Sequence, residues 1–323
     1  MSKSTQPFPS TETRGHSGRR GEVIAAATLV VFVAMVVAVR TAATARARSA
    51  VAARLTLGAD GIVVGASTID LPADGNRAVL MLHGFGDTPQ TMGYLATYIH
   101  AQGWSVRVPL LPGHGRTLTE FAASRSDEWI QLAREELAAM CDRFDVVAIV
   151  GQSMGGSLAT ILAAESPNVQ ALALLAPYLS MPTRLRRAAG MHHLLGTVMP
   201  FLRGGGERSI RDPGEVAKNL AYGYTTPRLV FELGRVVDRA RDAAPRVAVP
   251  VLVVQSRQDN RIPPEAAERA FALFGAKERR LVWTEGNGHI ISVDYGRQAV
   301  FAAVSEWLTT HVTRKVRTVA DAG

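Results

Sequence analysis

The stretch from Val146 to Gly156, VVAIVGQSMGG, decides how this chain is read. Val146–Val150 is an unbroken apolar run of strand length, suited to a strand covered on both faces. Gly151-Gln152-Ser153-Met154-Gly155-Gly156 follows at once and opens a helical pattern, Met154–Glu165. A serine on a sharp strand-to-helix turn is held exposed at the carboxyl end of its sheet by a strained backbone. Such a turn has no room for a side chain two residues to either side, so it needs Gly-x-Ser-x-Gly. The spacing therefore predicts a nucleophile at Ser153. A serine at a phosphate-binding helix start is the competing reading.

A nucleophilic serine needs a base, and the base needs a carboxylate to orient it. Downstream, the apolar run Val251–Val254 leads through Gln255 to Asp259, and Leu281–Trp283 leads through Glu285-Gly286-Asn287-Gly288 to His289. Both residues follow strands, so both fall at the sheet edge that presents Ser153. Asp294, five residues beyond His289, reads as a residue that steadies the histidine loop.

Further apolar runs at Ala78–Leu82, Ser105–Val108 and Ala171–Leu175 alternate with helical patterns at Thr91–Gln102, Asp127–Phe144, Pro264–Phe274 and Arg297–Val312. Strands alternating with helices predict an α/β fold with a mostly parallel central sheet flanked by helices. Gly61–Val64 and Ser67–Leu71 read as a first strand pair. Residues 181–248 break the rhythm: three or four helices, no convincing strand, and a glycine break at Arg203-Gly204-Gly205-Gly206. This insertion is expected to be a helical lid over the strand ends.

The order Ser153, Asp259, His289, each in a loop after a strand, is similar to the α/β-hydrolase fold, and the chain most resembles small bacterial carboxylesterases and monoacylglycerol lipases. His83-Gly84-Phe85-Gly86 resembles their oxyanion loop, with Asp87 where a further glycine often stands. Leu111-Pro112-Gly113-His114-Gly115 with downstream Trp129, and Gly288-His289-Ile290-Ile291-Ser292-Val293-Asp294, extend the resemblance over about residues 75–310. It implies a triad of Ser153, His289 and Asp259, and an oxyanion hole formed by the backbone N–H groups of Phe85 and Met154. Gly84, Met191 and Met199 are the expected substrate contacts, and no cofactor or metal is implied. His83 reads as a brace for the oxyanion loop rather than a second base.

The amino-terminal segment lies outside that resemblance. Val23–Val39 is an apolar run of seventeen residues bounded by Glu22 and Arg40. At 1.5 Å per residue it is nearly long enough to span a bilayer. It reads as an uncleaved transmembrane anchor over 22–45, after a basic disordered tail at 1–21 and before a linker at 46–57. The hydrolase domain is expected at 58–313, followed by a basic tail at 314–323. Ala43-Thr44-Ala45 also fits the cleavage site of a signal peptide, the competing reading. Four cations precede the run and four follow it, so charge does not orient it.

Charge and cysteine usage exclude other classes. The formal net charge is +8, but residues 1–57 hold eight cations against two anions, so the remainder is nearly neutral. No basic face for nucleic acid follows from that distribution. Cys141 is the single cysteine, which excludes a disulfide framework and a cysteine-based zinc site. The expected function is hydrolysis of lipophilic carboxylic esters, such as monoacylglycerols, at a membrane. Acyl transfer, C–C or peptide hydrolysis on the same triad, and a membrane-tethered non-catalytic binding protein are the alternatives.

Overall fold

The computed structural model describes residues 16–204 and 209–312. A long helix, α1 (His16–Ala52), comes first, and then a strand β1 (Ile69–Leu71) enters the body. There follow β2 (Arg77–Leu82), α2 (Gly93–His100), β3 (Ser105–Val108), α3 (Leu118–Ala123), α4 (Ser126–Arg143), β4 (Val146–Gln152), α5 (Met154–Glu165) and β5 (Val169–Leu175). The insertion contains α6 (Thr183–Gly190), α7 (His192–Val198), β6 (Leu202–Arg203), α8 (Pro213–Lys218), β7 (Tyr224–Thr225) and α9 (Pro227–Ala243). The chain closes with β8 (Val251–Ser256), α10 (Pro264–Phe271), β9 (Arg279–Thr284) and α11 (Arg297–His311).

The strands form one sheet in the order β1-β3-β2-β4-β5-β8-β9, parallel throughout except at β1, which runs antiparallel to β3. Alternate residues of each central strand feed opposite cores. On β2, Ala78, Leu80 and Leu82 join the core shared with α5 and α9, whereas Val79 and Met81 join the core shared with α2 and α11. Burial on both faces explains why these strands read as continuous apolar runs without polar alternation. The chain order reverses on either side of β2 and β4, and a ligand site forms at the carboxyl ends of strands where that happens.

Several expectations need correction. Gly61–Val64 is not a strand; an isolated bridge joins Leu57 to Val63, and only Ile69–Leu71 enters the sheet. The insertion does hold strands, the two-residue pair β6 and β7, with Leu202 opposite Thr225. Its last helix is no lid. Pro227–Ala243 begins at a Thr226 cap and buries Leu229, Leu233, Val236, Val237 and Ala240 along one face. It packs on α5 and is the crossover that the parallel pair β5 and β8 requires. The cap over the strand ends is therefore the part before α9.

The segment 46–57 is not a linker either. α1 continues to Ala52, and Ala47, Val51 and Leu55 are buried in the core that contains α5. Helical spacing places Ala47 and Val51 four residues apart on one face, where burial is worth about 2 kcal/mol for a valine or leucine side chain. His16–Gly21, expected as tail, are helical; residues 1–15, Gly205, Gly206 and the tail 314–323 lie outside the described residues.

Candidate active site

β4 ends at Gln152, and α5 starts at Met154, so Ser153 alone makes the turn. Its φ of 55° is a left-handed value that a non-glycine residue holds at a cost of about 1–3 kcal/mol. The neighbours hold it there: its N–H donates to Leu175 at 2.9 Å, and its carbonyl accepts from Gly156 at 2.9 Å and Tyr178 at 3.0 Å. A Cβ on Gly151 would lie 2.3 Å from the Gly155 carbonyl oxygen, and one on Gly155 would lie 2.0 Å from the Leu82 carbonyl oxygen. The elbow glycines are thus fixed by backbone crowding.

The three candidate residues meet although 136 positions separate the first from the last. Ser153 Oγ lies 2.7 Å from His289 Nε2, and His289 Nδ1 lies 2.8 Å from Asp259 Oδ2. With Nδ1 protonated toward the carboxylate, Nε2 is left as the acceptor for the serine proton. Burial alone would raise the Asp259 carboxyl. The hydrogen bond and charge of His289, with N–H donation from Arg261 and Ile262, outweigh that and hold it below the ordinary carboxylate range.

The loop after β2 approaches the serine closely. A Cβ on Gly84 would stand 3.5 Å from Ser153 Cβ. Met154 is the first residue of α5, so its N–H is one of the first-turn donors without an intrahelical partner. Phe85 is half-buried and rests against Phe121 and Trp129. His83 braces this loop. Leu111 donates its N–H to Nε2 at 3.2 Å, so Nδ1 carries the proton and donates to the Gly84 carbonyl at 3.0 Å. Complete burial pushes its pKa down to about 4, against partial support from that carbonyl. His83 therefore stays neutral. Trp129 donates to the Pro112 carbonyl at 3.0 Å, which ties the Pro112–Gly115 loop to α4.

Met191 and Met199, the expected substrate contacts in the insertion, flank α7 with 52% and 42% of their surface exposed. Other residues at the site escaped the sequence reading. Gln152 donates to the His289 carbonyl at 3.1 Å, and Gln255 donates to Asp259 Oδ2 at 2.8 Å. The available signal was a glutamine in the last two positions of an otherwise apolar strand, twice, within four residues of a candidate catalytic residue. Among the described residues no cluster of His, Cys, Asp and Glu could hold a metal ion.

Comparison with known proteins places this geometry. The family model described as serine aminopeptidase, S33 (Hydrolase_4) matches residues 73–295. A thermostable monoacylglycerol lipase of Bacillus sp. (strain H-257) is 26% identical over 74% of this chain and 92% of its own length. A carboxylesterase of Bacillus subtilis (strain 168) is 23% identical over 72% of this chain and 93% of its own. A solved structure from work on the metagenome-derived lipolytic enzymes LipS and LipT superposes with a TM-score of 0.70 at 28% identity, covering 76% of this chain and 98% of that one. The elbow, the strand order and these likenesses agree: the chain belongs to the serine aminopeptidase S33 (Hydrolase_4) family and has the α/β-hydrolase fold of esterases and lipases.

Proposed function

We propose that this chain is a membrane-tethered serine esterase that cleaves lipophilic carboxylic esters, monoacylglycerols among them, through an acyl-enzyme on Ser153. The observation that supports this reading most directly is the unbroken hydrogen-bonded series Asp259, His289, Ser153 at the carboxyl edge of the sheet. The similarity to a monoacylglycerol lipase and a carboxylesterase supports the ester class.

Ser153 Oγ attacks the acyl carbonyl carbon as His289 Nε2 takes its proton. The C–O bond to the alcohol then breaks, and the imidazolium returns that proton to the departing alkoxide. Asp259 keeps the ring in the required tautomer and stabilises its charge. The N–H groups of Phe85 and Met154 receive the oxyanion, a donor of this kind being worth about 3 kcal/mol. Water deprotonated by His289 repeats the sequence on the acyl-enzyme and releases the carboxylic acid. α1 serves as an uncleaved anchor: Gly21–Ala52 is long and apolar enough to cross a membrane, and its carboxyl end is part of the folded body.

A fluorescent fluorophosphonate should label the full-length protein and not Ser153→Ala, and the intact mass of the membrane-extracted protein should retain residues 1–45. Absence of labelling in lipid would favour the non-catalytic binding protein. A preference for acetate over octanoate esters would end the lipid reading. The description of the matching family supports a second reading, amide hydrolysis at a peptide amino terminus. Turnover of aminoacyl anilides comparable to that of octanoate esters would favour it.

A further inference from the structure

α1 meets the enzyme before its apolar run is over. Val36 and Arg40 are already partly covered, Ala43 and Thr44 follow, and Ala47 and Val51 are buried. This is one face of a single helix at intervals of three and four residues, with no flexible joint between the apolar run and the body. The Arg40 guanidinium donates to the Gly196 carbonyl of α7, and that of Arg54 donates to the Ala221 carbonyl between α8 and β7. α1 is therefore packed against the cap and tied to it at two points.

α7 itself is unusual for a surface helix of a soluble body. None of its residues is buried. Met191, Leu194 and Val198, spaced three and four apart on one face, are 52%, 67% and 53% exposed. Leu185 on the adjoining α6 is exposed as well, beside Arg184 and Arg187. So short a helix is not stable through its own hydrogen bonds, and an apolar face open to water gives it no support.

We propose that the outer face of α6 and α7 is a bilayer-docking surface, with Leu194 and Val198 in the outer acyl layer and Arg184 and Arg187 on anionic lipid phosphates. The proposal rests on α1 crossing the membrane. Arg40 is the first charge after the apolar run, so it marks the depth at which hydrocarbon gives way to headgroups. Its hydrogen bond to Gly196 brings the α7 backbone to that same depth. An apolar helix face beside a basic one at that level has the composition of an interfacial element. α1 carries its own exposed apolar surface from Val23 to Val39 on the amino-terminal side of that contact. The anchor thus fixes the cap at the bilayer surface, so that an acyl ester can reach the cap from lipid without crossing water.

The full-length protein in phosphatidylcholine–phosphatidylglycerol vesicles tests this, with Cys141→Ser as the background. An environment-sensitive bimane is placed at Leu194→Cys, Val30→Cys or Asp74→Cys, the last in the turn before β2 at the opposite edge of the sheet. Lipids with a spin label high on the acyl chain should quench the Leu194 probe strongly and the Asp74 probe not at all, whereas deep spin labels should quench Val30. Leu194 quenched no more than Asp74 overturns the docking surface while Val30 still reports the span. If neither Val30 nor Leu194 is quenched, α1 does not cross and the proposal falls with it. Quenching of Leu194 that requires a labelled second copy rather than labelled lipid assigns the face to an oligomer and also overturns it.

The paired variant Leu194→Asp, Val198→Asp should lower hydrolysis of vesicle-embedded monoacylglycerol by about tenfold, the loss expected from exposing roughly one aliphatic side chain. Its fluorophosphonate labelling should be unchanged, which separates lost docking from a lost triad. Unchanged vesicle hydrolysis would count against the proposal.

Discussion

The Asp294 carboxylate fastens Gly288, the residue before the candidate base, to the cap. Oδ2 accepts the Gly288 N–H at 2.6 Å and the Arg211 N–H at 2.9 Å, and Oδ1 accepts from Asp212 and Tyr295 at 2.9 and 2.8 Å. Gly288 also packs directly on the strap, since a Cβ there would lie 2.6 Å from the Ser209 carbonyl oxygen. The histidine loop and the strap leading into α8 are thus held by one buried side chain.

Asp294→Asn keeps the shape but turns an NH2 group toward one pair of donors. Hydrogen bonds to a charged acceptor are worth about 1.5–3 kcal/mol each, so two disrupted bonds should lower stability by about 3 kcal/mol. The kcat for octanoate ester should fall more than KM rises, because His289 loses its position while the cap surface is unchanged. An unaltered melting temperature and kcat would contradict this.

Removing the acid that orients His289, or only a donor to that acid, should lower turnover by unequal amounts. Asp259→Asn leaves the imidazole in the wrong tautomer, and kcat should fall by about 10⁴. Gln255→Leu removes only the second donor to Asp259 Oδ2, and a loss nearer tenfold in kcat is expected from one hydrogen bond of about 1.5 kcal/mol. Steady-state hydrolysis with both variants checks the ranking.

The elbow glycines make a geometric prediction. Gly155→Ala puts a methyl 2.0 Å from a backbone oxygen of β2, and the turn cannot widen without separating β4 from α5. A loss above about 4 kcal/mol in denaturant unfolding is expected. Gly190→Ala, at the end of α6 with nothing within 4 Å of the added carbon, should change stability by less than about 1 kcal/mol.

Three buried groups around the loop after β2 set opposing pH dependences. Burial raises Asp87 to about 7, against hydrogen bonds from Thr88 and Thr91. An unfolded aspartate ionises near 4, so stability falls as pH rises from about 4 to 7 and is flat above. Asp87→Asn should therefore stabilise the protein at pH 8, and the gain should vanish near pH 4. In that variant the histidine effect stands alone. His83 is held down to about 4, and His114 is lowered by burial and by His83. Their contribution is full above pH 6.5 and is lost as pH falls below it, that of His83 by about pH 4. Melting temperatures from pH 4 to 8 would show both slopes.

How much of this was legible beforehand differs by element. Ser105–Val108 and Met154–Glu165 form the strand and helix that their residues predict, because unbroken β-branched runs and a glycine elbow are local instructions. Met191 and Met199 are less legible, because an apolar residue in an insertion looks the same whatever it faces. The span from Thr226 to Ala243 misled because α9 has the amphipathic period of a cap helix, and only its packing on α5 makes it a crossover.

The elbow at Ser153 and the apolar run before Arg40 are legible in the chain as written. Each is written in contiguous residues, where steric crowding or hydropathy acts over a few positions. Folding alone brings Gln152 to His289 across 137 positions, Asp294 to the strap and Arg40 to Gly196. Those contacts depend on strand register and helix packing, which bring distant residues within 3 Å through the burial of other side chains. No local pattern encodes them, because the polar groups that meet are not the ones whose burial drives the chain together.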